Sequence, residues 1–131
     1  MSTNINKNTL AESIISQISA GTDIPVSLKY PEEDRPSAIA VVALESISYV
    51  NTGDPGTFRA DVVILGATIA ADDPDGSILA GMAVAVSDSV TGLNLASLSP
   101  AAVGRVGNDT TFEETEGERR FYTRFQLFFS L

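Results

Sequence analysis

From Arg119 to Leu131 apolar and polar residues alternate. Phe121, Thr123, Phe125, Leu127, Phe129 and Leu131 fall on one side, with Arg120, Tyr122, Arg124, Gln126 and Ser130 on the other. A period of two over so many aromatic residues predicts a half-buried β-strand, the firmest element in the chain. Phe128 breaks the alternation on the polar side and reads as packing under a helix end or against another subunit.

Toward the N-terminus the period changes. Leu10, Ile14 and Ile18 recur every four residues, joined by Ala11 and Ile15, which predicts an amphipathic helix over about Leu10 to Ala20. Thr9 and Glu12 have the spacing of a capping box, and Gly21 is a natural stop. Met1 to Asn8 is polar and reads as a short flexible arm rather than a leader peptide. A short strand is expected over Ile24 to Tyr30, with Pro25 placing it at an edge, before an exposed acidic loop from Pro31 to Pro36.

Ala38 to Val50 reads as a strand that begins buried and ends exposed, and Thr57 to Ile69 as another long strand. The turn formers Asn51 to Gly56 between them predict a long hairpin. Asp73 and Pro74 look like a cap and first helical residue, so a second helix is expected over Pro74 to Val90, with Ile78, Leu79, Met82, Ala85, Val86 and Val90 on its apolar side. Leu98 to Val106 reads as a modest strand around Pro100, and Gly107 to Glu118 as a polar, acidic loop or hairpin tip. Together these predict a single α+β domain, one mainly antiparallel sheet of four to five strands with two helices packed on it.

Composition narrows the function. With 131 residues, 44% of them hydrophobic, the chain can build one ordinary core, and no apolar run approaches the roughly 20 residues needed to span a bilayer as a helix. It contains neither cysteine nor histidine, which removes disulfides, thiolate and imidazole ligands, and the commonest nucleophile and general base. Eight basic against seventeen acidic residues give a net charge of -9, which opposes a groove that grips nucleic-acid phosphates. The plain consequence of that charge is solubility.

Each cluster that could carry chemistry has a plainer structural reading. Glu113, Glu114, Glu116 and Glu118 lack the glycine and ligand spacing of a calcium loop and read as a solvated tip. Asp72, Asp73 and Asp75 surround Pro74 and read as helix-start chemistry. Gly53 to Gly56 and Gly104 to Gly107 lack the lysine and strand-to-helix context of a phosphate loop and read as turns. Arg119, Arg120 and Arg124, with Tyr122 among them, form the one basic and aromatic cluster, facing either an acidic partner or the nearby glutamates. No catalytic residue, metal site or cofactor site is predicted.

The order of elements resembles the tail terminator proteins of tailed bacteriophages, also called minor tail or tail completion proteins. The resemblance is carried by Leu10 to Ala20, by Arg35-Pro36-Ser37-Ala38-Ile39-Ala40-Val41-Val42, by the hairpin around Gly53-Asp54-Pro55-Gly56, and by Glu118 to Leu131. It implies a structural virion protein of the tail-neck region, assembled in the host cytoplasm into a homo-oligomeric ring, most often a hexamer. Such a ring caps the tail tube, stops its polymerisation and joins it to the head-tail connector or neck proteins, while DNA crosses the lumen without specific binding. Long hairpin arms, here Glu45 to Arg59 with Tyr49, Asp54 and Phe58, are expected to reach neighbours, and Tyr122, Arg124 and Phe128 to form a second contact surface. The family implies no enzyme and no cofactor. The alternatives are a head-completion or capsid-decorating phage protein, and a soluble binding module or carboxylate enzyme.

Overall fold

The computed structural model describes residues 6–22, 25–28, 37–49 and 57–130, and only the backbone of residues 46–49. Residues 1–5 of the expected arm, the acidic loop 31–36, the hairpin turn 50–56 with Asp54, and Leu131 lie outside the described residues. The elements run α1 (Lys7–Ala20), β1 (Val26–Ser27), β2 (Ala38–Tyr49), β3 (Thr57–Ile69), α2 (Ser77–Thr91), β4 (Gly104–Thr115) and β5 (Glu118–Ser130). The five strands form one sheet in the order β1-β2-β3-β5-β4. Among the described residues only the β1–β2 pairing is parallel. The expected α+β architecture and its long hairpin, β2 with β3, are therefore present.

Both helices lie on one face of the sheet and share a core with it. Leu10, Ile14 and Ile18 of α1 and Leu79, Met82, Ala83, Val86 and Val90 of α2 pack with Val42, Val62, Ile64, Phe121, Phe125, Leu127 and Phe129. The alternation in β5 is realised: Phe121, Thr123, Phe125, Leu127 and Phe129 are buried, while the residues between them are half-buried or exposed. In the row across the sheet, Ala40, Gly66, Phe121 and Phe112 lie side by side. The Phe121 ring leans over Gly66 and meets Phe112 at 6.5 Å between centroids.

Several boundaries differ from the sequence expectation. α1 begins one turn before the expected Thr9 cap, because the side chain of Asn6 accepts a hydrogen bond from the Thr9 amide at 3.1 Å. The first strand contracts to Val26–Ser27. It does lie at a sheet edge, and the Pro25 carbonyl accepts from the Ala40 amide.

α2 begins at Ser77 rather than Pro74, since Pro74 and Asp75 belong to a turn closed by Gly76 at φ 76°. Its inward stripe consequently runs Leu79, Met82, Ala83, Val86 and Val90. Ile78 points outward at 48% exposure, and Ala85 is only half-buried.

The largest correction concerns the stretch read as a strand around Pro100 followed by an acidic loop. Leu98 and Ala102 are buried, but Leu98 follows a short 3-10 turn and the Ala102 amide returns to the Leu95 carbonyl, so no strand forms there. The strand begins at Gly104 and continues through the acidic residues to Thr115. Of the expected loop only the tight turn at Glu116 and Gly117 remains, with Gly117 at φ 78°.

Arginines on the neighbouring strand make this polar strand possible. Asp109, Glu113 and Glu114 stand opposite Arg124, Arg120 and Arg119, and Glu114 forms an ion pair with Arg119. Arg120 pairs with Glu118, while Asp109 and Glu113 remain exposed along the strand.

Candidate functional site

The sheet face opposite the helices is the candidate site, because the described residues place no element upon it. Ile39, Val41, Val63 and Ala67 lie on this face and are themselves buried, while Tyr122, Arg124, Gln126 and Phe128 of β5 are half-buried or exposed and carry its accessible part. Phe128 is half-buried, opposite Arg59 on β3 and Gly104 on β4. Its departure from the β5 alternation thus adds an apolar residue to this open face.

Two β-bulges shape the site. On β2, Leu44 pairs with Val62 and Ser46 with Asp61, which leaves Glu45 as an extra residue. On β4, Val106 pairs with Gln126 and Asp109 with Arg124, so Gly107 and Asn108 together stand opposite Phe125. Although β2 and β4 are not neighbours, the bulges fall at nearly the same level, on either side of Arg124. Bulges redirect side chains and open the ladder locally. Glu45 reaches the open face, where its Oε1 lies 3.8 Å from Arg124 Nε. Asn108 turns toward the helices, donating to the Ser87 carbonyl and the Thr91 hydroxyl, each at 3.0 Å.

Between the bulges lies a groove of about 310 Å³ lined by Glu45, Asp61, Asp109, Arg124 and Gln126. Gln126 donates to Asp61 at 3.0 Å, and Arg59 lies 3.5 Å from the same oxygen. The Arg124 guanidinium sits 5.3 Å from the centre of the Tyr122 ring. Half of the Arg124 side chain remains exposed, so its long contact with Glu45 leaves donors directed at solvent.

Acidic surroundings and one exposed guanidinium suit a protein surface that matches both charge and an apolar row. Among the described residues no three carboxylates converge as metal ligands, and no helix is long and apolar enough to cross a membrane.

No family model matches the chain, and no curated protein matches it. Of the residues singled out from sequence, the fold brings Tyr122, Arg124 and Phe128 to the open face. Phe58 instead packs against the core beneath the helices, and the Tyr49 backbone pairs with it. Asp54 lies outside the described residues. Glu45, the first residue of the expected arm, joins the site through the β2 bulge, Asp109 follows the β4 bulge, and Asp61 arrives through its register with Gln126; no sequence period reveals any of the three, and Gly107 inside a polar strand, at φ 82°, is the one local sign.

Proposed function

We propose that this chain is the subunit of a phage tail terminator ring. The ring caps the tail tube, blocks addition of further tube subunits and presents its other side to the neck proteins. The observation that supports the reading best is the sheet itself, covered by the helices on one face, with the half-buried Tyr122 and Phe128 and the exposed Arg124 accessible on the other. A subunit of this shape has one face for its own core and one for assembly. The net charge of -9 suits a lumen that must let DNA pass without adhering. The mechanism is steric and geometric, so it asks for no catalytic residue.

Particle mass in solution and negative-stain imaging, with the protein alone and mixed with purified tail tubes, test the reading. Closed rings, free or at tube ends, are the expected result, with a hexamer of the 13.8 kDa chain as the expected species. Monomers under both conditions would overturn it. In the variant Arg124→Gln/Phe128→Ser the ring population should fall at least about tenfold while the thermal midpoint moves by only a few degrees, because both side chains lie outside the core.

A further inference from the structure

The outer edge of β4 carries a second surface, which meets the open face at Asp109. β4 ends the sheet order, so the hydrogen-bonding groups along its outer side have no strand neighbour among the described residues. It is twelve residues long and contains no proline. Its bulge lies near its start, leaving Asp109 to Thr115 regularly paired.

The two sides of this edge differ in chemistry. On the helix side a groove of about 430 Å³ runs between α2 and β4, lined by the apolar Ala80, Ala83, Val84 and Phe112 and by the polar Ser87, Asp88 and Thr110. Val84 and Phe112 are 62% and 61% exposed. On the other side Asp109 and Glu113 are exposed, with their opposing arginines on the inner strand. In the ion pair at the strand's end, Glu114 is 72% exposed and Arg119 only 22%, so the carboxylate lies outermost.

We infer that β4 is a docking strand for an extended segment of another protein in which apolar and basic residues alternate. A strand added here places every second side chain in the α2–β4 groove and the intervening ones beside Asp109 and Glu113. A second copy's β4 would bring the same carboxylates against these, and like charges opposite one another are unfavourable. Charge therefore favours a basic partner over self-pairing along this edge.

The test uses the full chain and synthetic peptides of about ten residues, enough to cover the edge. A peptide alternating lysine and valine should bind at least tenfold more tightly than one alternating lysine and glycine, and should slow amide exchange along β4. Methylating alternate backbone nitrogens of the peptide, or introducing Phe112→Glu or Val84→Glu, should each weaken binding by tenfold or more. Both substitutions are at exposed positions, and retained folding is checked by circular dichroism. Equal binding of the glycine peptide, indifference to backbone methylation, or exchange protection away from β4 would each overturn the inference. So would self-association of the free chain that protects β4, which would assign the edge to a second copy.

Discussion

Gly66→Ala should destabilise the protein by about 3 kcal/mol, lowering its thermal midpoint by roughly 10 °C, although the change adds a single methyl group. An ideal Cβ at Gly66 would stand 1.9 Å from Cε2 and 2.2 Å from Cζ of Phe121. Neither side of this contact can yield easily. The Phe121 ring is fully buried and bounded by Phe112, and Gly66 belongs to a central strand paired on both sides. The glycine is there to let the ring lie flat against the sheet beneath α2.

Relieving the clash separates this cause from any intrinsic effect of strand propensity. Phe121→Leu alone should cost about 1–2 kcal/mol through lost contacts. Combined with Gly66→Ala it should cost little more, giving a coupling of about 2 kcal/mol in a double-mutant cycle read from urea midpoints. If the two losses simply add, the ring is not what excludes the methyl group.

This pair also illustrates what could be read from the sequence. The β5 alternation identified Phe121 as core, because burial on one face imposes a strict period of two. It could not reveal that Phe121 lies on Gly66, since register depends on the whole sheet. α1 was legible for the same reason as β5, with a clean stripe and a glycine stop. β4 was not, because Asn108, Asp109 and two glutamates argue for a loop, and only the opposing arginines of β5 make them a strand.

The candidate site divides in a similar way. Arg124, Tyr122 and Phe128 follow from the polar side of β5, whereas Glu45 and Asp109 reach the same groove through pairing and two bulges. A sequence pattern encodes a face; it does not encode which other strands supply the rest of that face.

Asp73→Ala should be comparably damaging, by about 3 kcal/mol, and Asp73→Asn by about 2 kcal/mol. The carboxylate is 1% exposed and accepts hydrogen bonds from the Ile78 amide at 2.9 Å, the Leu79 amide at 3.0 Å and the Thr68 hydroxyl at 2.9 Å. It therefore caps the start of α2 from three residues before Gly76, the residue in the capping position that has no side chain to do so. Arg119 joins the β4–β5 hairpin to the same turn by donating to the carbonyls of Asp73 and Pro74, each at 2.9 Å. Alanine leaves the amides and the hydroxyl without an acceptor. Asparagine restores one acceptor but turns an N–H group toward donors.

The pH dependence follows from the same bonds. Burial by itself would raise the Asp73 carboxyl, but the amides of Ile78 and Leu79, the Thr68 hydroxyl and the charge of Arg119 together hold it below its ordinary value. A depressed folded-state pKa means that folding is favoured by ionisation. The contribution is complete above the unfolded value of about 3.9 and fades as pH falls through the folded one.

The stability difference between the natural protein and Asp73→Asn should therefore stay level from pH 7 to about pH 4 and shrink below it. Taking a difference removes the general effect of neutralising an acidic chain, including the more exposed Asp75, whose carboxyl is likewise lowered by the Ser77 side chain and amide. Chemical denaturation at a series of pH values measures it. A gap that persists undiminished to pH 2 would mean that shape, not charge, is what Asp73 contributes to the start of α2.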